Sequence, residues 1–280
     1  MVEALTDQLP VLRLTPARAF PTLGFRELWD HRELVVFLSW RDVKVRYTQT
    51  ILGVLWALIQ PLVPMVIFAV VFGRLANLPS EGAPYPLFVL AGLLPWQLFS
   101  SALINSSNSV VGSSALLTKV YFPRLIIPMS AVLSGLVDFT ISFVLLLVLM
   151  VWYGKMPTAS IAFLPFFMLL ALATAFGIGL WSAALNVQFR DVQYLVPFVV
   201  QAWMYASPVA YSSTLIPAGP WRLIYSLNPM AGVIQGFRWA MLGTTAPSSV
   251  ILLPIAISLL LCVTGILYFR WMEDRFADLI

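Results

Sequence analysis

Few side chains in this chain could take part in catalysis. His31 is its only histidine and Cys262 its only cysteine. An intrachain disulfide is therefore impossible, and a zinc site or a Ser-His-Asp relay is nearly excluded, because histidine and cysteine supply most metal ligands and bases. The sequence has no GxxxxGK[ST] motif and no glycine-rich turn between a strand and a helix. We therefore expect no cofactor and no metal on this chain, and any ATP that it depends on is hydrolysed by another polypeptide.

One carboxylate, Asp138, lies deep inside an apolar run, where it is the only ionisable residue. A charge at membrane depth is costly and is by default a functional hypothesis. Ser130, Ser134, Asp138 and Ser142 occupy successive i+4 positions and form one polar stripe on a helix. This stripe either faces water or a partner, or makes hydrogen bonds to neighbouring helices. We favour the structural alternative, because a carboxylate without a basic partner makes a poor proton relay.

Aromatic residues are the other unusual feature, with 10 Trp, 9 Tyr and 19 Phe. Most Trp and Tyr residues of membrane proteins lie in belts at the two interfaces. Tyr194, Phe198, Gln201 and Tyr205 instead fall on one face of a helix through its depth. Rings alternating with amides suit sugars, since a pyranose packs its C–H face on an aromatic ring. The same face could equally be a helix-packing surface. With one tryptophan from each of the first two apolar runs, the candidate sugar-contacting residues are Trp56, Trp96, Tyr194, Phe198, Gln201 and Tyr205.

The composition is that of a membrane protein. Of the 280 residues, 60% are hydrophobic and only 10% are charged, whereas soluble domains carry about a quarter charged residues. The net charge of +4 is modest, and the basic residues cluster beside apolar runs. This distribution suits membrane lipid headgroups and argues against nucleic acid. The sequence therefore predicts an all-α polytopic membrane protein.

Hydrophobic runs predict six transmembrane helices. The first run, 51–73, carries no charge and is long enough to cross about 30 Å of hydrocarbon. Arg41, Lys44 and Arg46 directly precede it, an arrangement that the positive-inside rule places in the cytoplasm. Most of the other Lys and Arg residues then also fall inside, with both termini cytoplasmic. The predicted crossings are about 51–73, 84–111, 125–151, 160–185, 192–212 and 250–269.

The predicted organisation has three parts. Residues 1–50 form a cytoplasmic tail and an amphipathic helix, 51–270 the transmembrane domain, and 271–280 a cytoplasmic C-terminus. Within the first part, 1–24 is irregular and 25–47 is helical. Its predicted apolar face, which would lie along the inner membrane surface, consists of Val36, Trp40, Val43 and Tyr47. Alternatively, this helix is solvated and packs on the chain's own loops.

The cytoplasmic loop 112–124 is a candidate contact for a partner polypeptide. Its leucines and Tyr121 give a short helix one apolar edge, Lys119 and Arg124 keep it inside, and Pro123 ends it. Exposed apolar side chains on such a loop are normally covered by something. A loop that merely caps two helices would show the same pattern. The candidate contact residues are Leu117, Lys119, Val120, Tyr121, Phe122 and Arg124.

The segment 213–249 contains apolar pieces that are too short to span a membrane. The pieces 221–227 and 230–242 are separated by Asn228 and Pro229, and Arg238 interrupts the second. Such pieces predict re-entrant or interfacial helices on the outer side.

Four sets of residues, in this order, resemble the ABC-2 type permeases of bacterial polysaccharide exporters over roughly residues 30–270. They are WRDVKVRYTQTILGVLWALIQP, VFGRLANLP with PYPLFVLAGLLPWQLFSSAL, TKVYFPRLIIP with SGLVDF, and NPMAGVIQGFRWAMLG. The last is similar to the wider ABC-2 signature of a proline, a large aliphatic residue and a later arginine, here Pro229, Met230 and Arg238. Gly232 stands where that signature usually has a polar or basic residue.

The resemblance implies a homodimeric permease that works with two separate ATP-binding cassette subunits, which would hold ATP and magnesium. It implies export of a lipid-linked polysaccharide, such as an O antigen, across the bacterial inner membrane. Helix 25–47 would be the interface helix and loop 112–124 the coupling helix. The segment 213–247 would form an outer re-entrant gate containing Trp221, Asn228, Pro229 and Arg238.

Two other functional classes remain open at this point. A related exporter could carry teichoic acid, lipid or a drug. A membrane-embedded acyl- or glycosyltransferase would need a base or metal site, and His31 lies outside the apolar runs with no acidic cluster beside any helix end.

Overall fold

A computed structural model describes residues 25–48, 53, 55–117, 119, 122–217, 219–247 and 249–276. The prediction of an irregular tail at 1–24 lies outside these residues. Within them the chain is helical and contains no strand. The α-helices are α1 Phe25–Asp30, α2 Arg32–Thr48, α3 Leu55–Phe68, α4 Tyr85–Gly112, α5 Ser114–Leu117, α6 Ile126–Trp152, α7 Leu164–Gln188, α8 Val192–Ala206, α9 Pro220–Ser226, α10 Pro229–Leu242 and α11 Leu252–Met272.

Five of the six predicted crossings correspond to helices long and apolar enough to span a bilayer. These segments are Leu55–Leu75, Tyr85–Gly112, Ile126–Trp152, Ala159–Gln188 and Leu252–Met272. The predicted crossing 192–212 differs, because α8 has only 15 residues and is therefore about 22 Å long. It ends at Ala206, and the next residue, Ser207, has extended backbone angles and precedes Pro208, a residue that disfavours helical geometry at the position before it.

Two prolines interrupt the hydrogen bonding of α3, and neighbouring helices compensate. Pro61 and Pro64 lie inside the helix and have no N–H to donate to the carbonyls four residues earlier. Ser142 Oγ on α6 donates to the Ala57 carbonyl at 3.0 Å, and Gln97 Nε2 on α4 donates to the Gln60 carbonyl at 3.1 Å. Both carbonyls that the prolines leave free are thereby satisfied inside the protein, as a spanning helix requires.

The hydrophobic core is built around α4, which packs against α6, α7 and α10. Its first half is almost wholly buried, with Phe88 and Phe99 at 0% exposure. α7 and α11 cross at very close range. A Cβ on Gly265 would lie 2.2 Å from the Gly177 carbonyl oxygen, and a Cβ on Gly177 would lie 2.4 Å from that of Leu261. Only glycine fits at this crossing.

The N-terminal helices pack on the start of α6, and the predicted apolar face of α2 is only partly covered by this packing. Val35, Leu38 and Val43 are buried, whereas Val36 and Trp40 are 68% and 66% exposed. Val36 and Trp40 are therefore not covered by the bundle, and their placement along the inner membrane surface stays a prediction. Polar contacts between α2 and α6 help to fix the rotation of α2, beginning with the hydrogen bond from Ser39 Oγ to the Ser130 carbonyl at 3.3 Å.

Candidate functional site

The aromatic face predicted on the fifth crossing is exposed along α8. Tyr194 and Phe198 are 74% and 73% exposed, Tyr205 is 62% exposed, and Gln201 is also exposed. Only Val200 on this helix is buried. The four residues therefore form one accessible surface within the described protomer, which we call the α8 face.

Trp96 does not reach the α8 face. It is 3% exposed and packs in an aromatic cluster with Phe99 and Trp203, whose ring centroids lie 5.3 and 6.4 Å from its own. The structure thus separates Trp96 from the accessible sugar-contacting candidates. Its ring packs against Trp203, on the side of α8 that faces the core.

Trp56 lies elsewhere, at a cavity of about 470 Å³. The cavity lies among the end of α2, the first turns of α3, and the facing sides of α4 and α6. Trp56 is 48% exposed overall and lines this cavity together with Gln60 on α3 and Asn105 on α4. In the part of the chain that the structure describes, no residue of α8 lines this cavity. The predicted surface is therefore divided between two places.

Asp138 also lines this cavity, and it has a basic partner. Arg46 Nη1 forms an ion pair with one Asp138 oxygen, and the Tyr47 hydroxyl donates to the other. The expectation of a carboxylate without a basic partner is therefore wrong. Sequence reasoning missed the pair because Arg46 lies 92 residues away on a different helix. Burial and the hydrogen bond to Asp138 raise the pKa of the Tyr47 hydroxyl above its usual value, so Tyr47 remains a donor at neutral pH.

The other hydroxyls of the predicted stripe make local or helix-to-helix contacts. Ser130 Oγ donates to Ile127 and Ser134 Oγ donates to Ala131, both within α6. Ser142 satisfies α3, as described above. All three serines are buried, so the structural alternative fits them. Of the four residues in the predicted stripe, only Asp138 lines the cavity.

The predicted partner loop divides into exposed and buried parts. Lys119 is exposed and Leu117 is half-buried, whereas Val120 and Tyr121 lie outside the described residues. Phe122 is 6% exposed and packs with Val35 and Leu38 of α2. Phe122 is thus covered by α2 within the protomer, and its role as a partner contact stays a prediction.

Arg124 is tied to the C-terminal end of the described chain. Its Nη1 donates to the Glu273 carbonyl, and its guanidinium lies 5.9 Å from the centre of the Phe276 ring. The loop is also flanked by a groove of about 670 Å³ whose lining includes Arg41, Asp42, Leu116 and Lys119. This groove is the accessible concave surface between α2 and the loop.

The short helices α9 and α10 correspond to the two short apolar pieces predicted in the segment 213–249. Asn228 caps α10, since its Oδ1 accepts from the Met230 amide at 3.0 Å, and Pro229 occupies the first helical turn, where its missing N–H has no cost. Asn228 also joins α10 to α8, because Trp203 Nε1 donates to its Oδ1 at 3.0 Å and its Nδ2 donates to Ser207 Oγ at 2.9 Å. Trp221 on α9 is 66% exposed.

Arg238 is buried and binds backbone carbonyls. It is 3% exposed and donates to Val209 at 2.6 Å, Phe88 at 3.0 Å and Tyr211 at 3.2 Å. Its guanidinium lies 3.6 Å from the centre of the Phe88 ring. Gly92 makes the space, because a Cβ there would lie 2.5 Å from Arg238 Nη2. In this conformation Arg238 therefore contacts the protein's own backbone, and only Trp221 of the four predicted gate residues has a largely exposed side chain.

Comparison with known proteins agrees with this architecture. Residues 33–242 match the ABC-2 type transporter family. The O-antigen export system permease protein RfbA of Myxococcus xanthus is 32% identical over 257 residues, which cover 90% of this chain and 97% of that protein. A protein of the same name from Klebsiella pneumoniae is 29% identical over 89% of this chain and 95% of its own length. The polysialic acid transport protein KpsM of Escherichia coli is 25% identical over 72% of this chain and 78% of its own length. This multi-pass membrane protein therefore belongs to the ABC-2 type transporter family.

Proposed function

We propose that this chain is the permease subunit of an ATP-driven exporter that moves a lipid-linked, O-antigen-like polysaccharide from the cytoplasm to the periplasm. The observation that carries the proposal is the similarity, over nearly the whole chain, to a protein named as an O-antigen export permease. The chemistry of the α8 face supports it, because exposed rings alternating with an amide suit a sugar polymer.

The proposal includes the assembly that ATP-driven transport requires. The chain acts as a homodimer in the inner membrane with two ATP-binding cassette subunits, and both of its termini are cytoplasmic. The groove between α2 and the 112–124 loop is the proposed docking surface for the ATP-binding subunit, with Lys119 exposed at its edge. This subunit holds ATP and magnesium, so the permease itself is not an enzyme.

The proposed conduit runs between the two copies of the α8 face. Because Tyr194, Phe198 and Tyr205 are each more than half exposed in the single protomer, a second copy could face them across a polymer. Closure of the ATP-binding subunits would move the 112–124 loop and, through α2 and α6, open this path.

Export by α8 variants tests the proposal. Deleting the gene should abolish surface polysaccharide, and the intact chain should restore it. Tyr194→Leu with Tyr205→Leu keeps apolar volume but removes two flat rings, each worth about 1 kcal/mol or roughly fivefold in affinity. Surface polysaccharide, measured beside the amount of purified complex, should fall several-fold.

Tyr153→Leu is the matched control, because Tyr153 is also exposed but lies beyond the end of α6. It should export normally. Unchanged polysaccharide in the gene deletion would overturn the proposed function. Normal export by the double α8 variant would remove only the α8 face from the conduit.

A further inference from the structure

We infer that the cavity among α2, α3, α4 and α6 is a binding site for a neutral sugar unit of the exported polymer. The inference rests on the proposed function for the identity of the polymer, but the site itself is assigned from its lining. Its volume of about 470 Å³ falls within the range of small-molecule sites. The ligand class follows from three properties of the wall.

The first property is a supply of unused hydrogen-bonding groups. Gln97, Ser101 and Asn105 follow one another at i+4 spacing on α4. Gln97 is occupied with α3 and Ser101 with the Leu98 carbonyl at 3.3 Å. Among the described residues, the side-chain amides of Gln60 and Asn105 have no hydrogen-bond partner within the protein, and both line the cavity. Each amide offers both donors and an acceptor, the combination that sugar hydroxyls need.

The second property is an aromatic surface beside these amides. Trp56 lies one helical turn before Gln60 on α3, is 48% exposed overall, and is one of the residues that line the cavity. An indole ring next to free amides can pack against the C–H face of a pyranose while the amides bind hydroxyls at its rim. This is the same chemistry as on the α8 face, on a different helix.

The third property is charge balance, which distinguishes a neutral sugar from a phosphate. Arg46 is the cation of the cavity and Asp138 is its carboxylate, and the two form an ion pair. A bound anion would have to compete with Asp138 for Arg46, whereas a neutral sugar can use the remaining guanidinium N–H groups without breaking the pair. The cavity therefore favours an uncharged hydroxyl-rich ligand.

Protection of an engineered cysteine tests the site. The purified full-length permease with its ATP-binding partner carries Cys262→Ser, which removes the chain's only thiol, and Asn105→Cys, and is labelled with a maleimide. The probe is the host's own surface polysaccharide, released from its lipid by mild acid. At a probe concentration twice its Kd, labelling of the permease should slow about threefold, because the free site falls to about one third.

Thr140→Cys is the matched control. Thr140 is exposed on α6, two residues from Asp138, and is not part of the cavity lining. Its labelling should not change with the probe. Adding Trp56→Leu should remove most of the protection at position 105. If Asn105→Cys prevents assembly, Gln60→Cys replaces it, since Gln60 is exposed.

Equal slowing at positions 105 and 140, or none at either, would overturn the site. Protection by inorganic phosphate but not by the polysaccharide would overturn the neutral-sugar assignment. Failure of the proposed function is distinguishable from both results, because the gene deletion would then leave surface polysaccharide unchanged.

Discussion

Arg238 is a buried cation whose guanidinium donates hydrogen bonds to backbone carbonyls. The sequence marks it as a charge inside a short apolar piece, and the family resemblance places it in an outer gate. In the structure its guanidinium binds the carbonyls of Val209 and Tyr211, and the Tyr85 hydroxyl binds that of Ala210 at 2.6 Å. These are carbonyls of the non-helical chain that follows α8. Irregular backbone at membrane depth is tolerated only when it is satisfied in this way.

Replacing Arg238 with lysine should therefore destabilise the fold. Lysine keeps the charge but cannot reach three carbonyls with one planar fork, and two lost charge-assisted hydrogen bonds correspond to about 3 kcal/mol. We expect the Tm of the purified permease to fall by roughly 6–12 °C. Arg222→Lys, on an exposed part of α9, should leave Tm unchanged. A normal Tm with lost export would instead point to a direct role for Arg238 in transport.

At the element scale, the existence and type of the long helices could be predicted, but their rotations and partners could not. The sequence alone indicates that Pro61 and Pro64, inside a spanning helix, leave free carbonyls that a neighbouring helix must satisfy. It does not indicate that Ser142 and Gln97 supply the hydrogen bonds. The side by which α2 docks on α6 could not be predicted for a related reason. A surface helix with apolar residues on two faces can dock by either, and the contact between Arg46 and Asp138 selects one.

The attachment of α2 to α6 can be measured by a double-mutant cycle. Arg46→Gln and Asp138→Asn should each lower the free energy of unfolding, and the double variant should lose less than their sum. Because the two side chains are 35% and 23% exposed, solvent screening limits the expected interaction energy to about 1 kcal/mol. Tm of the three variants provides the measurement.

The control for this cycle is Arg41→Gln. Arg41 pairs with Asp42 on the same helix at 2.8 Å, so its loss removes a surface ion pair without detaching α2. It should have little effect on Tm. Strict additivity of Arg46→Gln and Asp138→Asn would show that the ion pair does not hold α2 in place.

At the scale of the whole molecule, the contacts between chain segments agree with the predicted membrane topology. The predicted outer loop 74–83, the predicted outer segment 213–249 and the outer end of the predicted crossing 192–212 lie together, because the Glu81 carboxylate accepts hydrogen bonds from Ser212 Oγ and from the Thr245 amide. Predicted cytoplasmic segments likewise meet where Arg124 binds the Glu273 carbonyl. Hydrophobicity and charge could predict five spanning helices. They could not predict the early end of α8, since the residues after Ser207 are still apolar and depend on distant side chains for their hydrogen bonds.

Single cysteines in a Cys262→Ser background test whether the predicted cytoplasmic segments do face the cytoplasm. We expect Ser80→Cys and Thr245→Cys to react with a membrane-impermeant maleimide in spheroplasts, because Ser80 directly precedes Glu81 and the Thr245 amide donates to the Glu81 carboxylate at the predicted outer end. Ser114→Cys on α5 should react only after the membrane is permeabilised. The charge argument requires this orientation, since Arg41, Lys44 and Arg46 precede the first spanning helix and would otherwise have been translocated. Reaction of Ser114→Cys in spheroplasts, with Ser80→Cys protected, would invert the threading. The α2 groove would then face away from any cytoplasmic ATP-binding subunit, and the proposed function would fail with it.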